Sequence, residues 1–171
     1  MIAQPLVNRI AKSNVITIKL EAFFPAEPIA TFDLKDYLFM ELILKEKDFR
    51  AALKEHDWAQ YEGKNLLVYC STDAIIPFWA YMLVATHANP YAKEIFQGSA
   101  EEFYKSYFEK VISSIEVSDY EDQRVIIKGC SDHPVPASAY LALSNRLRPY
   151  VKSLMYGEAC STVPIYKKPR K

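Results

Sequence analysis

The chain has 171 residues and a mass of 19.6 kDa, with 50% hydrophobic and 25% charged residues, the size and balance of one globular domain burying about 70% of its unfolded surface. Lysine and arginine total 21, aspartate and glutamate total 21, and the pI is near 6.8. No overall positive field therefore gathers nucleic acid or anionic lipid, and disorder and fibrous repeats are excluded. The longest apolar run, Ala74 to Thr86, falls short of the roughly 20 residues that cross a bilayer and reads as a core helix. The first twenty residues are broken by Asn8, Arg9, Lys12 and Asn14 where a signal peptide needs a continuous apolar stretch. The protein is expected to be cytoplasmic, with neither nucleic acid nor membrane as a partner.

In chain order, Val15 to Leu20 alternates with period two and Ile29 to Leu34 continues in the same style. With Pro25 and Pro28 between them, they read as two strands joined by a loop, a pair added at the edge of the main sheet. Tyr37 to Leu44 and Glu46 to His56 look helical, the second with Phe49 and Leu53 at four-residue spacing among lysines and an arginine. From Asn65 onward, short β-rich runs alternate with helical ones, the pattern of parallel strands and crossovers. Leu66 to Tyr69 is a continuous apolar strand suited to cover on both faces. The helix expected over 74–88 is apolar nearly all round and should be buried, and Asn89-Pro90 ends it.

Lys93 to Phe96 is a weaker strand candidate. Gly98 then turns the chain, and Ser99 with Glu102 forms a capping box opening the next helix. Phe103, Tyr107, Val111 and Ile115 recur every four residues, so one face packs while Glu101, Lys105, Glu109 and Lys110 stay wet. Val125 to Ile127 is a strand stopped by Gly129, and Pro134 and Pro136 precede a helix carrying Tyr140, Leu141, Leu143 and Leu147. Ser153 to Tyr156 and Val163 to Tyr166 read as final strands. The basic tail, residues 167–171, is expected to be solvated, with a docking patch as the alternative. The expected architecture is a single α/β domain over 1–171, a three-layer sandwich with a mostly parallel sheet and an N-terminal pair of extra strands. Residues 1–60 hold the N-terminal strands and helices, and 61–166 the alternating part. No linker, low-complexity stretch or internal repeat of domain size stands out.

All three cysteines precede serine: Cys70-Ser71-Thr72-Asp73, Cys130-Ser131-Asp132-His133 and Cys160-Ser161-Thr162. An odd number of widely spaced cysteines argues against a disulfide scaffold. Each falls at or just beyond the C-terminal end of an expected strand, where open α/β sheets bind their ligands. Three thiols could therefore converge on one crevice. Expected helix N-termini after Cys70 and Cys130 would favour the thiolate, the form that binds metals and attacks electrophiles. Ser71, Thr72, Asp73 and Ser131 then have two candidate jobs, capping helices or hydrogen-bonding to a ligand or to sulfur, and Ser161 and Thr162 are candidates for the second.

Three cysteine ligands can carry an iron–sulfur cluster with one iron left open. Zinc is the competitor, with His133 completing a Cys3His set, although paired C-x-x-C spacing is absent. The bland reading is that strand-end cysteines are small buried hydrophobes, which leaves a non-catalytic interaction module. A third reading is a thiol-dependent enzyme using Cys70. Leu66 to Cys70 leading through a loop into a helix resembles the nucleophile loop of rhodanese-type sulfurtransferases or cysteine phosphatases. Those families close the loop around an anion with Gly and Arg, and Ser71 to Pro77 contains neither. His56 reads as a dipole partner at a helix C-terminus, and His87 as a satisfied core histidine. Part of the tyrosine and phenylalanine content is a candidate homodimer interface.

Lys45-Glu46-Lys47-Asp48-Phe49-Arg50, the Cys70 to Pro77 segment with Trp79-Ala80-Tyr81-Met82, Lys128-Gly129-Cys130-Ser131 with Pro134-Val135-Pro136, and Met155 to Pro164 together resemble a bacterial domain-of-unknown-function family. The resemblance spans nearly the whole chain and names no activity. It implies a neighbourhood with the SUF-type iron–sulfur assembly system, and so a role among iron–sulfur assembly proteins as partners. The candidate metal ligands, Cys70, Cys130 and Cys160, rest on their strand-end positions and not on this resemblance.

Overall fold

The computed structural model describes residues 8–9, 15–129, 131–158 and 161–169. In chain order these form β1 (Asn8–Arg9), β2 (Val15–Ile18), β3 (Ile29–Asp33), α1 (Glu46–Glu55), β4 (Asn65–Tyr69), α2 (Phe78–Ala88), β5 (Glu94–Gln97), α3 (Ala100–Ser113), β6 (Arg124–Ile127), α4 (Ala137–Leu147), β7 (Ser153–Glu158) and β8 (Ser161–Lys167). Short 3-10 turns cover Leu20–Phe23, Leu34–Tyr37, Trp58–Tyr61 and Val117–Tyr120. The fold class is mixed α/β, but the strands divide between two sheets instead of one. One sheet has the order β1-β2-β6-β7-β8, with both outer pairs antiparallel, and the other is the wholly parallel trio β3-β4-β5.

The chain divides accordingly into two compact units, one formed by residues 1–24 with 104–171 and one by residues 25–103. The second unit is therefore inserted into the first. In the inserted unit, Phe32, Leu66 and Val68 point to one sheet face and pack under Phe49 and Leu53 of α1 and Ala80 and Val84 of α2. In the interrupted unit, Ile18, Val125, Ile127 and Leu154 pack with Phe108 and Ile112 of α3 and Leu143 and Leu147 of α4. The strand alternation of period two puts these residues on one face of each sheet.

The two units repeat one plan: a strand and 3-10 turn, a helix and 3-10 turn, a second strand, a second helix and a third strand. Register is the same in both. Ile29 pairs with Asn65 and Asn65 with Glu94, while Val15 pairs with Arg124 and Arg124 with Ser153. Residues follow at a constant offset of 59 from Tyr61 and Tyr120 through Pro77 and Pro136, Ala80 and Ala139, and Tyr91 and Tyr150 to Gly98 and Gly157. Backbone hydrogen bonds repeat as well. Gly63 donates to the Tyr91 carbonyl at 3.1 Å and Asp122 to that of Tyr150 at 2.9 Å, both from left-handed backbone, with φ of 69° and 52°. No repeat of this size was expected from the sequence.

Four local expectations are corrected. β2 and β3 do not pair with each other, because each opens a parallel trio of its own sheet. Tyr37 to Leu44 is not a helix beyond the 3-10 turn ending at Tyr37. Phe39 and Ile43 bridge across a tight turn in which Met40 and Glu41 have φ of 52° and 58°. Helix α2 begins at Phe78 instead of residue 74, since Pro77 excludes the helical conformation at Ile76 and lacks the N–H an interior position needs. Nor is α2 buried all round. It packs along Ala80, Val84 and Ala88, while Phe78 is 86% and Met82 70% exposed, with Ile75 of the preceding loop 90% exposed. Among the described residues no helix is long and apolar enough to cross a membrane.

Candidate functional site

Cys70 follows the last residue of β4, where the strand runs out between its parallel neighbours β3 and β5. The strand is placed there by its own composition: Asn65 to Val68 are buried on both faces, which fixes β4 at the centre of the trio. Cys70 is half-buried and free, and its sulfur lies 3.3 Å from the Thr72 hydroxyl oxygen. It lines a cavity of about 610 Å³. Ile29, Thr31, Leu67 and Tyr69 supply the sheet side of this cavity, the face opposite the packed core. Tyr81 of α2 and Gln97 and Gly98 at the end of β5 complete the strand-end side, and Ser99 and Glu102 close it from the start of α3.

The loop bearing the thiol is held by a carboxylate from the neighbouring strand. Asp33, at the end of β3, accepts from the backbone N–H of Ser71 at 3.0 Å and from that of Lys35 at 3.0 Å. Burial opposes ionisation of Asp33, but hydrogen bonding by the Ser71 side chain and by these backbone groups outweighs it and holds the carboxyl below its ordinary range. Tyr81 moves the other way. Burial, and then the neighbouring Cys70, push its phenol above the usual value. On the α3 side the expected capping box is present: the Ser99 N–H and hydroxyl both donate to Glu102 Oε2 at 2.8 Å, and the Glu102 N–H donates to Ser99 Oγ at 3.3 Å. Gly98 allows this approach, since at its φ of 136° a Cβ would fall 2.7 Å from Glu102 Oε2.

Of the residues singled out in the sequence, Cys70 and Thr72 meet at this cavity. Ser71, Thr72 and Asp73 do not cap α2, whose N-cap is Pro77 with no side-chain bond. The residues between Cys70 and Phe78 also remove the thiol from the helix dipole, which is felt over little more than the first turn. Ser131 likewise does not cap α4. Its hydroxyl donates to the His133 carbonyl at 2.9 Å and accepts from the His133 N–H at 3.1 Å, while Pro136 is the N-cap. The His133 ring stacks on Phe24 at 4.4 Å, and the Thr162 hydroxyl lies 3.9 Å from the Met155 sulfur. Ser161 opens β8 opposite Glu158. Cys130 and Cys160 lie outside the described residues, so the expected convergence of three thiols does too. Among the described residues no three His, Cys, Asp or Glu side chains gather as a metal would need.

The sequence reading missed Asp33, Tyr81 and Gln97. Their signal was available, since each stands at a strand's C-terminal end or on the helix that follows one, where α/β ligands sit. His56 follows α1 as expected, and its ring nitrogens meet the hydroxyls of Tyr37 at 3.1 Å and Tyr61 at 3.0 Å, inside a group of rings with Phe32 and Trp58. Burial lowers the His56 pKa despite Asp57 nearby. The same burial, with Tyr37 and Asp57, pushes Tyr61 up to about 12.

No curated protein matches the chain, and no solved structure does. The family described as protein of unknown function DUF2480 matches residues 4–168, nearly the whole length, and the chain belongs to that family.

Proposed function

We propose that the chain binds a soft metal ion or an iron–sulfur cluster through the thiolates of Cys70, Cys130 and Cys160, and serves in the cytoplasm as an accessory of iron–sulfur cluster assembly. The observation that carries this reading is the place of Cys70: a half-buried thiol at the C-terminal end of a central parallel strand, lining a cavity. The Thr72 hydroxyl beside it can donate to thiolate sulfur, the kind of contact that tunes a metal centre. In chain order Cys130 follows β6 and Cys160 follows β7, adjacent parallel strands of one sheet, whereas Cys70 follows a strand of the other. Cys70 and Thr72 alone do not make a metal centre, so the reading stands on all three thiols.

Iron, zinc and sulfide analysis with a visible spectrum on anaerobically purified protein tests it, run beside Cys70→Ser, Cys130→Ser and Cys160→Ser. Stoichiometric metal lost in each variant is the expected result. Absence of metal after anaerobic reconstitution overturns it.

A second reading, a thiol-dependent enzyme using Cys70, is favoured by cavity size, since about 610 Å³ lies in the range of small-molecule sites. Metal-free protein whose Cys70 alkylates faster than an ordinary thiol below its usual pKa would favour that reading. The non-catalytic interaction module draws on the apolar surface of Ile75, Phe78 and Met82. A second copy, as a homodimer, is one partner it would take.

A further inference from the structure

The interrupted unit has a second cavity, of about 600 Å³, at the N-terminal ends of its parallel strands. Arg124 opens β6, Lys152 precedes β7, and Lys167 and Lys168 close the far side at the end of β8. Among the described residues the lining includes no acidic one, and Met155 and Tyr166 add apolar surface. Lys167 reaches this position because β8 runs antiparallel to β7, which pairs it with Ser153, and the Lys168 N–H donates to the Lys152 carbonyl at 2.9 Å. Of the four cations, Lys168 is paired with Asp122 Oδ1 at 2.7 Å, and the same carboxylate also lies within electrostatic reach of Lys152. Glu121 is the other acid near it. A fifth cation, Arg148, lies over the Tyr166 ring at 5.1 Å.

The internal repeat provides a control for whether the fold itself requires these charges. In the inserted unit the position of Arg124 is held by Asn65, a buried amide that donates to the Glu27 carbonyl at 3.3 Å. The position of Lys152 is held by Lys93, there paired with Glu27 at 3.7 Å. Serine 153 is matched by Glu94. Arg124 thus stands where the inserted unit has a neutral amide and Lys152 where it has an ion-paired lysine, while Lys167 and Lys168 lie on β8 and just past its end, and β8 has no counterpart in the three-stranded sheet.

We propose that this cavity binds a small organic polyanion, a phosphate ester or polycarboxylate with an apolar or planar body. Arginine and lysine supply the fork and point charges that such groups take, and the volume is that of a small-molecule site. The site shares no lining residue with the Cys70 cavity, so its test is independent of the metal reading.

Calorimetric titration of the full chain with ADP, citrate, inorganic pyrophosphate and a single-stranded oligonucleotide tests the proposal, at low and at physiological salt. Saturable binding of ADP or citrate that weakens with salt is expected, and the tighter of the two identifies phosphate ester or polycarboxylate as the source. Arg124→Gln and, separately, Lys152→Gln should each weaken that probe about tenfold, the loss of one charge-assisted contact, while Lys47→Gln on α1 leaves it unchanged. Both sites are exposed, and thermal melts of the two variants confirm that each is folded. Four results overturn the proposal: no saturable binding of any probe, binding unchanged in both cavity variants, pyrophosphate equal to the organic anions, or binding of a single-stranded oligonucleotide alone.

Discussion

Asp33 and Ser71, 38 positions apart, are joined by a 3.0 Å hydrogen bond from the Ser71 backbone N–H to the Asp33 carboxylate. This bond fastens the loop that begins at Cys70 to the end of the neighbouring strand. Asp33→Asn should lower stability by about 1 to 2 kcal/mol, the scale of a hydrogen bond to a charged group, and should speed alkylation of Cys70. Because the folded-state pKa of Asp33 is lowered, its contribution is complete above the ordinary carboxylate value. It is lost as pH falls through the folded value. Urea midpoints of both proteins across the acid range check the sign.

His56 gives a second pH dependence. Its pKa in the folded chain is lowered from 6.5, so folding favours the neutral ring. Stability from this source is present above 6.5 and declines as pH falls toward the folded value. In His56→Gln that part of the acid-side decline should vanish. Thermal melts at pH values on both sides of the usual histidine pKa measure it.

The turn at Met40 and Glu41 places two consecutive non-glycine residues in left-handed backbone, with the Leu42 N–H donating to the Phe39 carbonyl at 3.2 Å. This is the geometry in which asparagine followed by glycine is preferred. Met40→Asn combined with Glu41→Gly should raise stability by about 1 kcal/mol, read as a shift in the denaturant midpoint at constant slope.

At Gly157, φ is 123° and a Cβ would fall 2.5 Å from the Ser161 carbonyl oxygen. That backbone cannot move without opening the β7–β8 hairpin. Gly157→Ala should therefore cost about 1 to 3 kcal/mol. Gly98→Ala should also destabilise, since at φ of 136° a Cβ would fall 2.7 Å from the Glu102 Oε2 that Ser99 holds.

Phe49 and Phe108 occupy equivalent places in the two units and are 1% and 0% exposed. Truncation of either to alanine should cost about 3 to 5 kcal/mol. Calorimetric melts of Phe49→Ala and Phe108→Ala show whether the two losses match.

Most elements were legible because their signals are local. The four-residue stripe of α3 and the Ser99–Glu102 box survive intact in the structure. Failures came where a local signal was outvoted. Tyr37 to Leu44 carries apolar residues at helical spacing, but the chain spends Phe39, Met40, Leu42 and Ile43 on an exposed turn and buries only Leu44. Ile75, Phe78 and Met82 are as apolar as the core, and nothing local tells an outward residue from a buried one on such a helix. The repeat was hidden because its signature is a fixed spacing of dissimilar residues. The Cys-Ser pairs disguise it further, since Cys70 falls opposite Gly129, one residue out of step with Cys130. For the candidate site, the strand-end rule located Cys70, but pairing with Asp33 depends on strand order. That order is set by register between distant segments.

The insertion of one unit within the other also fixes an order of events at the ribosome. β2 is made before the whole inserted unit, and its parallel partner β6 only after it. The trio β3-β4-β5, with its helices, is thus complete while β2 still lacks its central neighbour. The late-closing sheet must join strands separated by an entire finished unit, the long-range pairing that slows folding most. Slow translation or a stalled C-terminus would leave the β6 side of β2 as an open strand edge, a part of this chain exposed to misassociation.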